Sequence, residues 1–236
     1  MMHQWWNSLS FLHWPYDAED VQRLLPPDVE VETFDGQAWV GLVPFVLRVR
    51  SRRTPFLPWV STFPETNVRT YVRGPDGRPG IWFLSLDAAR LGAVAAARTW
   101  WRLPYMWSRM WVGIRRSTVV YESRRRWPRP AASSRVVVEV GEAVDGRVPL
   151  VEFLTARYLL WSPCRGGVTA TRAEHEPWVL RTGRAVEVDT GLLQAAGLPA
   201  PAGEPLVHVA ADMEAFLGDR SAPVARMADC AAASVD

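Results

Sequence analysis

The chain has 236 residues, 27 of them basic and 25 acidic, for a formal net charge of +2, and every one of those basic residues is an arginine. Without lysine, no side chain can form a Schiff base with a carbonyl substrate, hold pyridoxal phosphate or serve a phosphate-binding P-loop. A charge this close to zero does not describe a protein that coats nucleic acid.

Met1–Trp14 is aromatic and reads as extended. It lacks a basic stretch followed by an apolar one, so it is not a signal peptide. Pro15 leads into a short helix with Asp17 as N-cap and Asp20 in the first turn, ended by Pro26 and Pro27. Strands are expected at Val29–Thr33 and Ala38–Val49, joined by the turn Phe34-Asp35-Gly36-Gln37. Arg48 to Pro58 reads as an arginine-rich loop. The clearest hairpin is Thr66–Val72 and Gly80–Leu86 about Gly74-Pro75-Asp76-Gly77. Asp87 can cap an Ala-rich helix running to Trp101, where Leu103-Pro104-Tyr105 stops it.

Further strands are expected at Met110–Ser123, Arg135–Val140, Arg157–Ser162, Val168–His175 and Ala185–Asp189. Short helices are expected at Leu150–Thr155 and Leu192–Ala196. Residues 221–236 have little to bury and read as a disordered tail, which leaves residues 1–220 as one domain. Many closely spaced strands with few helices predict a closed or nearly closed antiparallel β structure with one longer helix. The apolar region Gly80–Ala97 is interrupted by Asp87 and Arg90, so it is not a membrane span. Cys164 and Cys230 are far apart, as expected of a reduced, cytoplasmic protein.

The segment richest in chemistry is Glu65-Thr66-Asn67-Val68-Arg69-Thr70-Tyr71. Alternate strand residues share a face, so Glu65, Asn67, Arg69 and Tyr71 point one way. If that face lines a cavity, Arg69 can anchor a carboxylate and Glu65 can act as an acid or base. An internal Arg–Glu pair and a plain solvated surface account for the same residues. The chain has 13 tryptophans, which suit the wall of an apolar pocket and equally a packed core. Trp100, Trp101, Tyr105, Trp107 and Trp111 cluster about Pro104.

Glu174-His175-Glu176 has no His or Cys partner at ligand spacing, so a structural or rim histidine is expected and no metal. His3, His13 and His208 stand in no motif. Arg124-Arg125-Arg126-Trp127-Pro128-Arg129 is the densest positive run and reads as a solvated loop. Phosphate binding there is a rival reading, and it requires the run to form one patch with Arg48–Arg53.

Phe34-Asp35-Gly36-Gln37-Ala38-Trp39-Val40-Gly41, Pro64–Val72 and Gly80–Ala88 resemble the YqjF-like family of uncharacterised proteins. Leu103-Pro104-Tyr105, Phe153–Tyr158 and His175-Glu176-Pro177-Trp178 continue the likeness in the same order, over residues 3–210. That family is similar in fold to acetoacetate decarboxylase. The resemblance implies a mainly β (α+β), cone-shaped antiparallel barrel around a small cavity. In the decarboxylase, two adjacent lysines follow a proline and the first forms the Schiff base. Here Tyr105 and Met106 follow Pro104, so the fold and cavity carry over and the lysine mechanism does not.

The reading is therefore a barrel that binds a small organic molecule, a carboxylate or keto compound. Arg69, Asn67, Tyr71, Trp82 and Trp101 are the candidate ligand contacts. The alternative is a cofactor-free enzyme with Glu65 or Tyr105 as acid or base. An arginine-rich module for an acidic partner or nucleic acid is the third reading. No cofactor and no membrane partner is expected, and a homo-oligomer stays open.

Overall fold

In the computed structural model of the chain, short alternating apolar runs cut by Gly, Pro and Asp become fifteen strands in one sheet, with four short helices among the described residues. Those are residues 2–51, 61–144, 148–221 and 224. The aromatic start forms β1 (Met2–Asn7) and β2 (Leu9–Tyr16), and Asp17 caps α1 (Ala18–Gln22) by accepting the Glu19 amide at 2.9 Å. Strands β3 (Glu30–Val31) and β4 (Thr33–Phe34) lead into a hairpin turn with Asp35 at φ 50° and Gly36 at φ 77°. The turn opens β5 (Gln37–Ser51), and the expected hairpin follows as β6 (Thr62–Arg73) and β7 (Pro79–Ala88).

After β7 come α2 (Leu91–Ala96), a π turn (Ala97–Trp101), β8 (Tyr105–Arg115), β9 (Thr118–Trp127) and β10 (Ser133–Ala143). Then follow α3 (Pro149–Thr155), β11 (Leu159–Cys164), β12 (Gly167–His175), β13 (Leu180–Thr190), α4 (Leu192–Ala195), β14 (Leu206–Ala210) and β15 (Met213–Arg220).

Several expectations need correction. The helix expected over Asp87–Trp101 begins only at Leu91, because the Asp87 carboxylate is held by Ser108 and Arg125 inside the sheet and keeps its residue in β7. One strand at Met110–Ser123 is two, β8 and β9, turned at Arg116 (φ 55°), where no Gly or Pro signals the break. The arginine run is the end of β9, with Arg125 buried between exposed Arg124 and Arg126. Arg48–Ser51 continue β5, and residues 52–60 of the expected loop lie outside the described residues. Strands β14 and β15 lie where the sequence pattern predicts none. Ser221 and Val224 bond backbone to backbone with Ala170 and Val168 of β12, while residues 225–236 of the expected tail lie outside the described residues.

The sheet closes on itself twice around a shared centre, β5–β6–β7. One circuit runs β5–β2–β14–β13–β10–β9–β8–β7, and the other β5–β1–β15–β12–β11–β7. Two parallel contacts, β7 with β8 and β7 with β11, complete these rings; the other pairings are antiparallel. The consequence is that β6 is covered on both faces. Val68, with Val40 and Leu42 of β5, packs against Tyr121, Val136 and Val138 in the larger apolar cluster. The opposite face carries Glu65, Asn67, Arg69 and Tyr71, all buried.

Candidate functional site

Strand pairing sets which side chains meet on that second face. Arg69 lies opposite Gly41 of β5, and Gly41 opposite His13 of β2. A Cβ at Gly41 would sit 2.9 Å from His13 Nε2, so only glycine leaves the ring room. Gly41→Ala is expected to destabilise by about 1–3 kcal/mol through overpacking, read as a lower urea midpoint at unchanged slope. On the other side, β7 carries one extra residue between Ser85 and Phe83, a bulge directly opposite Arg69. Such bulges re-aim side chains and gather near functional sites.

Arg69 is only 9% exposed, yet its hydrogen-bond partners among the described residues are neutral. Its Nη2 donates to the Leu154 carbonyl at 3.1 Å and the Tyr71 hydroxyl at 3.4 Å, and its Nε is buried without a partner. The cation lies over the Phe11 ring, 5.1 Å from the centroid. Tyr71 donates to the same Leu154 carbonyl at 2.6 Å, and its oxygen is 2.6 Å from His13 Nε2. Burial, aided by the Arg69 charge, holds His13 well below the usual histidine range, so its ring is neutral. Burial raises Tyr71 although Arg69 opposes the shift. The Asn67 Oδ1 and the His13 Nδ1 are buried and unpartnered as well. Helix α3, started by Pro149 at its first turn, supplies the Leu154 carbonyl, and the Trp178 indole donates to Thr155 O at 3.0 Å beside it.

Glu65 does not pair with Arg69. The two are four residues apart on one strand, about 13 Å. Instead the Tyr105 hydroxyl donates to Glu65 Oε2 at 3.0 Å. The parallel pairing of Leu86 with Tyr105, next to the pairing of Asn67 with Leu86, brings Tyr105 to this face. Burial pushes the Glu65 carboxyl up to about 8; the Tyr105 hydrogen bond works against that and the nearby Asp87 charge adds to it. Tyr105 itself is raised well above the ordinary phenol by burial and by Glu65. Glu65 is thus a neutral acid at pH 7, able to donate.

The internal Arg–carboxylate pair of this fold lies elsewhere. Arg125 meets Asp87 in a two-pronged contact, Nε to Oδ1 at 3.0 Å and Nη2 to Oδ2 at 2.7 Å, with both side chains fully buried. Ser108 donates to the same Oδ1 at 2.5 Å. Nothing local in the sequence marks these partners, because Asp87 reads as a helix cap and Arg125 as one of a loop run.

Of the expected ligand contacts, Asn67, Arg69 and Tyr71 come together. Trp82 does not join them. Its odd–even phase turns it to the other face, where it packs with Val72 and Trp161 and lines an apolar concavity of about 220 Å³. Trp101 is half-buried at the end of the π turn. His13 is the residue that sequence reasoning missed. Its only signal was the register that sets it beside Gly41. His175 packs edge-on or tilted among Trp6, Tyr158 and Trp178 with Nδ1 2.7 Å from the Glu176 carbonyl, and burial lowers its pKa. Among the described residues no group of His, Cys, Asp and Glu has the geometry of a metal site. No described helix is long and apolar enough to cross a membrane.

Residues 3–214 match the model of a family described as an uncharacterized conserved protein, DUF2071. The chain belongs to that family. It is 35% identical over 213 residues to the uncharacterized protein YqjF of Bacillus subtilis (strain 168), covering 89% of this chain and 87% of that protein. The fold is that of the acetoacetate decarboxylase-like proteins. An acetoacetate decarboxylase-like enzyme from Sphingomonas wittichii RW1 superposes with a TM-score of 0.65 at 15% identity, over 93% of this chain and 91% of that one. The enduracididine biosynthesis enzyme MppR complexed with pyruvate gives 0.64 at 14% identity, over 94% and 90%. Some members of this fold class are therefore enzymes, and at least one binds a small keto acid.

Proposed function

We propose that the β6 face binds a small organic anion, a carboxylate or keto acid, through Arg69. The observation that carries this reading is the buried guanidinium with a free Nε and only neutral partners. A buried cation lacking a counter-charge is costly, and a carboxylate accepted in bidentate fashion would relieve that cost. Asn67 and Tyr71 would set the orientation of the ligand, with Phe11 as its apolar wall. The reading is supported by MppR, a protein of the same fold that is complexed with pyruvate. Lysine chemistry plays no part, since the chain has none.

The test is a thermal-shift series with pyruvate, 2-oxobutyrate and phenylpyruvate on the wild type and on Arg69→Ala. Saturating keto acid at a hundred dissociation constants should stabilise the wild type by about 2.7 kcal/mol. The shift should vanish in the variant. Equal shifts in the two proteins would remove Arg69 as the anchor. Borohydride with pyruvate should label no side chain.

A second reading rests on the Glu65–Tyr105 contact. A carboxyl with its pKa near 8 is matched to proton transfer at neutral pH. It supports acid–base turnover of a ligand held at Arg69, with Glu65 giving or taking the proton. Enolisation of bound keto acid, followed as deuterium exchange at C3 of pyruvate, should occur in the wild type and be lost in Glu65→Gln with binding retained.

A further inference from the structure

The outer face of the β8–β9 hairpin carries a feature that the Arg69 site does not use. A concavity of about 280 Å³ is lined by four arginines, Arg109, Arg124, Arg125 and Arg126. Arg109 and Arg124 are direct cross-strand partners, which places two like charges side by side. Such an arrangement is destabilising unless something neutralises it. A register shift between Trp107 and Ser108 lets Arg126 project beside them, where its guanidinium lies 5.7 Å from the Trp107 ring centroid. Arg109, Arg124 and Arg126 are exposed, and no ion pair among the described residues involves them.

The contrast with the rest of this face is informative. One step along, Arg135 is bracketed by Glu122 and Glu187, and further on Arg184 meets Glu139 at 2.6 Å. Arg135 and Arg184 thus have counter-charges on this sheet, while no described residue supplies one to Arg109, Arg124 or Arg126. The fourth, Arg125, turns inward: its side chain has no exposed surface and spends Nε and Nη2 on Asp87, so the three exposed arginines carry the outer face.

We propose that this concavity is a binding site for a phosphate-bearing anion with two phosphoryl groups. Three exposed guanidiniums match a ligand of this class, because each phosphoryl group carries about −1.5 to −2 charges. The planar, multi-donor guanidinium fork suits phosphate oxygens, and a pair of facing arginines spans two of them. The site is distinct from the Arg69 face, since it lies on the outside of the hairpin. Its failure would leave the keto-acid reading untouched.

The experiment is calorimetric titration of the full chain with inorganic pyrophosphate and, as a second arm, with a twelve-residue oligothymidylate. Pyrophosphate should bind saturably and weaken as salt is raised. Arg109→Ala with Arg124→Ala should weaken it about tenfold or more, the loss expected of charge-assisted hydrogen bonds. Arg109→Lys with Arg124→Lys should recover only part, because charge returns without the fork. Arg115→Ala with Arg116→Ala removes two charges from the far end of the same hairpin and should change nothing. Tighter, more salt-sensitive oligothymidylate binding lost in the same Arg109/Arg124 variant would mean that the phosphates arrive on a single strand. The proposal is overturned if pyrophosphate does not bind at millimolar concentration. It is equally overturned if the Arg115/Arg116 control weakens binding as much as the Arg109/Arg124 variant.

Discussion

Asp87→Ala is expected to cost about 3–5 kcal/mol of stability. The reason is what remains behind. The Arg125 side chain has no exposed surface, and Asp87 is the only counter-charge it has among the described residues. Removing the carboxylate strands a guanidinium inside the larger circuit of strands and also leaves the Ser108 hydroxyl unpaired. Arg125→Met should be comparably damaging for the opposite charge. The double variant Asp87→Leu with Arg125→Met should recover most of the loss, because an apolar pair of similar volume pays no desolvation. Urea unfolding of the wild type, Asp87→Leu, Arg125→Met and this double variant forms a double-mutant cycle, with a coupling well above 1 kcal/mol expected. A double variant as unstable as the worse single would show that geometry, and not charge compensation, holds β7 to β9.

Glu65 should make the protein less stable as pH rises through the neutral range. Its carboxyl is raised from 4.5 to about 8 in the folded chain, mainly by burial. Below about 4.5 both states are protonated and the group contributes no penalty. Between there and about 8 the unfolded chain releases a proton that the native one keeps, so stability falls, by roughly 3–5 kcal/mol in all. The histidines act in the other direction. His13, His175 and His208 are lowered by burial, so their contribution is present above the unfolded value near 6.5 and is lost as pH falls below it. Stability should therefore peak in weakly acidic to neutral solution. Glu65→Gln keeps an acceptor for Tyr105 and cannot titrate. It should abolish the alkaline decline and leave the acid one, as read from urea midpoints at pH 5, 7 and 9. An unchanged alkaline slope would show that Glu65 is ionised in the folded protein.

The sequence made part of this site legible for a simple reason. The two-residue period of a strand fixes that Glu65, Asn67, Arg69 and Tyr71 share a face, whatever the strand packs against. The hairpin turns at Asp35-Gly36 and at Gly74–Gly77 were equally plain, since their residues are chosen by backbone sterics. The β8–β9 turn at Arg116-Ser117 was not, because an arginine in the left-handed region carries no such signature. Nor was the partner of Asp87, since a helix cap and a buried ion pair draw on the same residue type. The sequence shows neither β14 nor β15, because no turn chemistry joins them to their neighbours β13 and β12, and their other partners, β2 and β1, stand some two hundred residues away.

By composition alone, the chain ruled out lysine chemistry, and by order of motifs it declared its family and a mainly β fold. Those are properties of single residues and local periods, which survive without knowing what touches what. Tertiary structure decided everything that depends on pairing. Register set His13 and Gly41 beside Arg69, while parallel addition of β8 to β7 delivered Tyr105 to Glu65. The same pairing sent Trp82 to the far face and left Arg69 buried with no carboxylate partner among the described residues. Charge balance in a protein interior is a matter of three-dimensional neighbours, and so the two arginine sites became visible only once the strands had been joined.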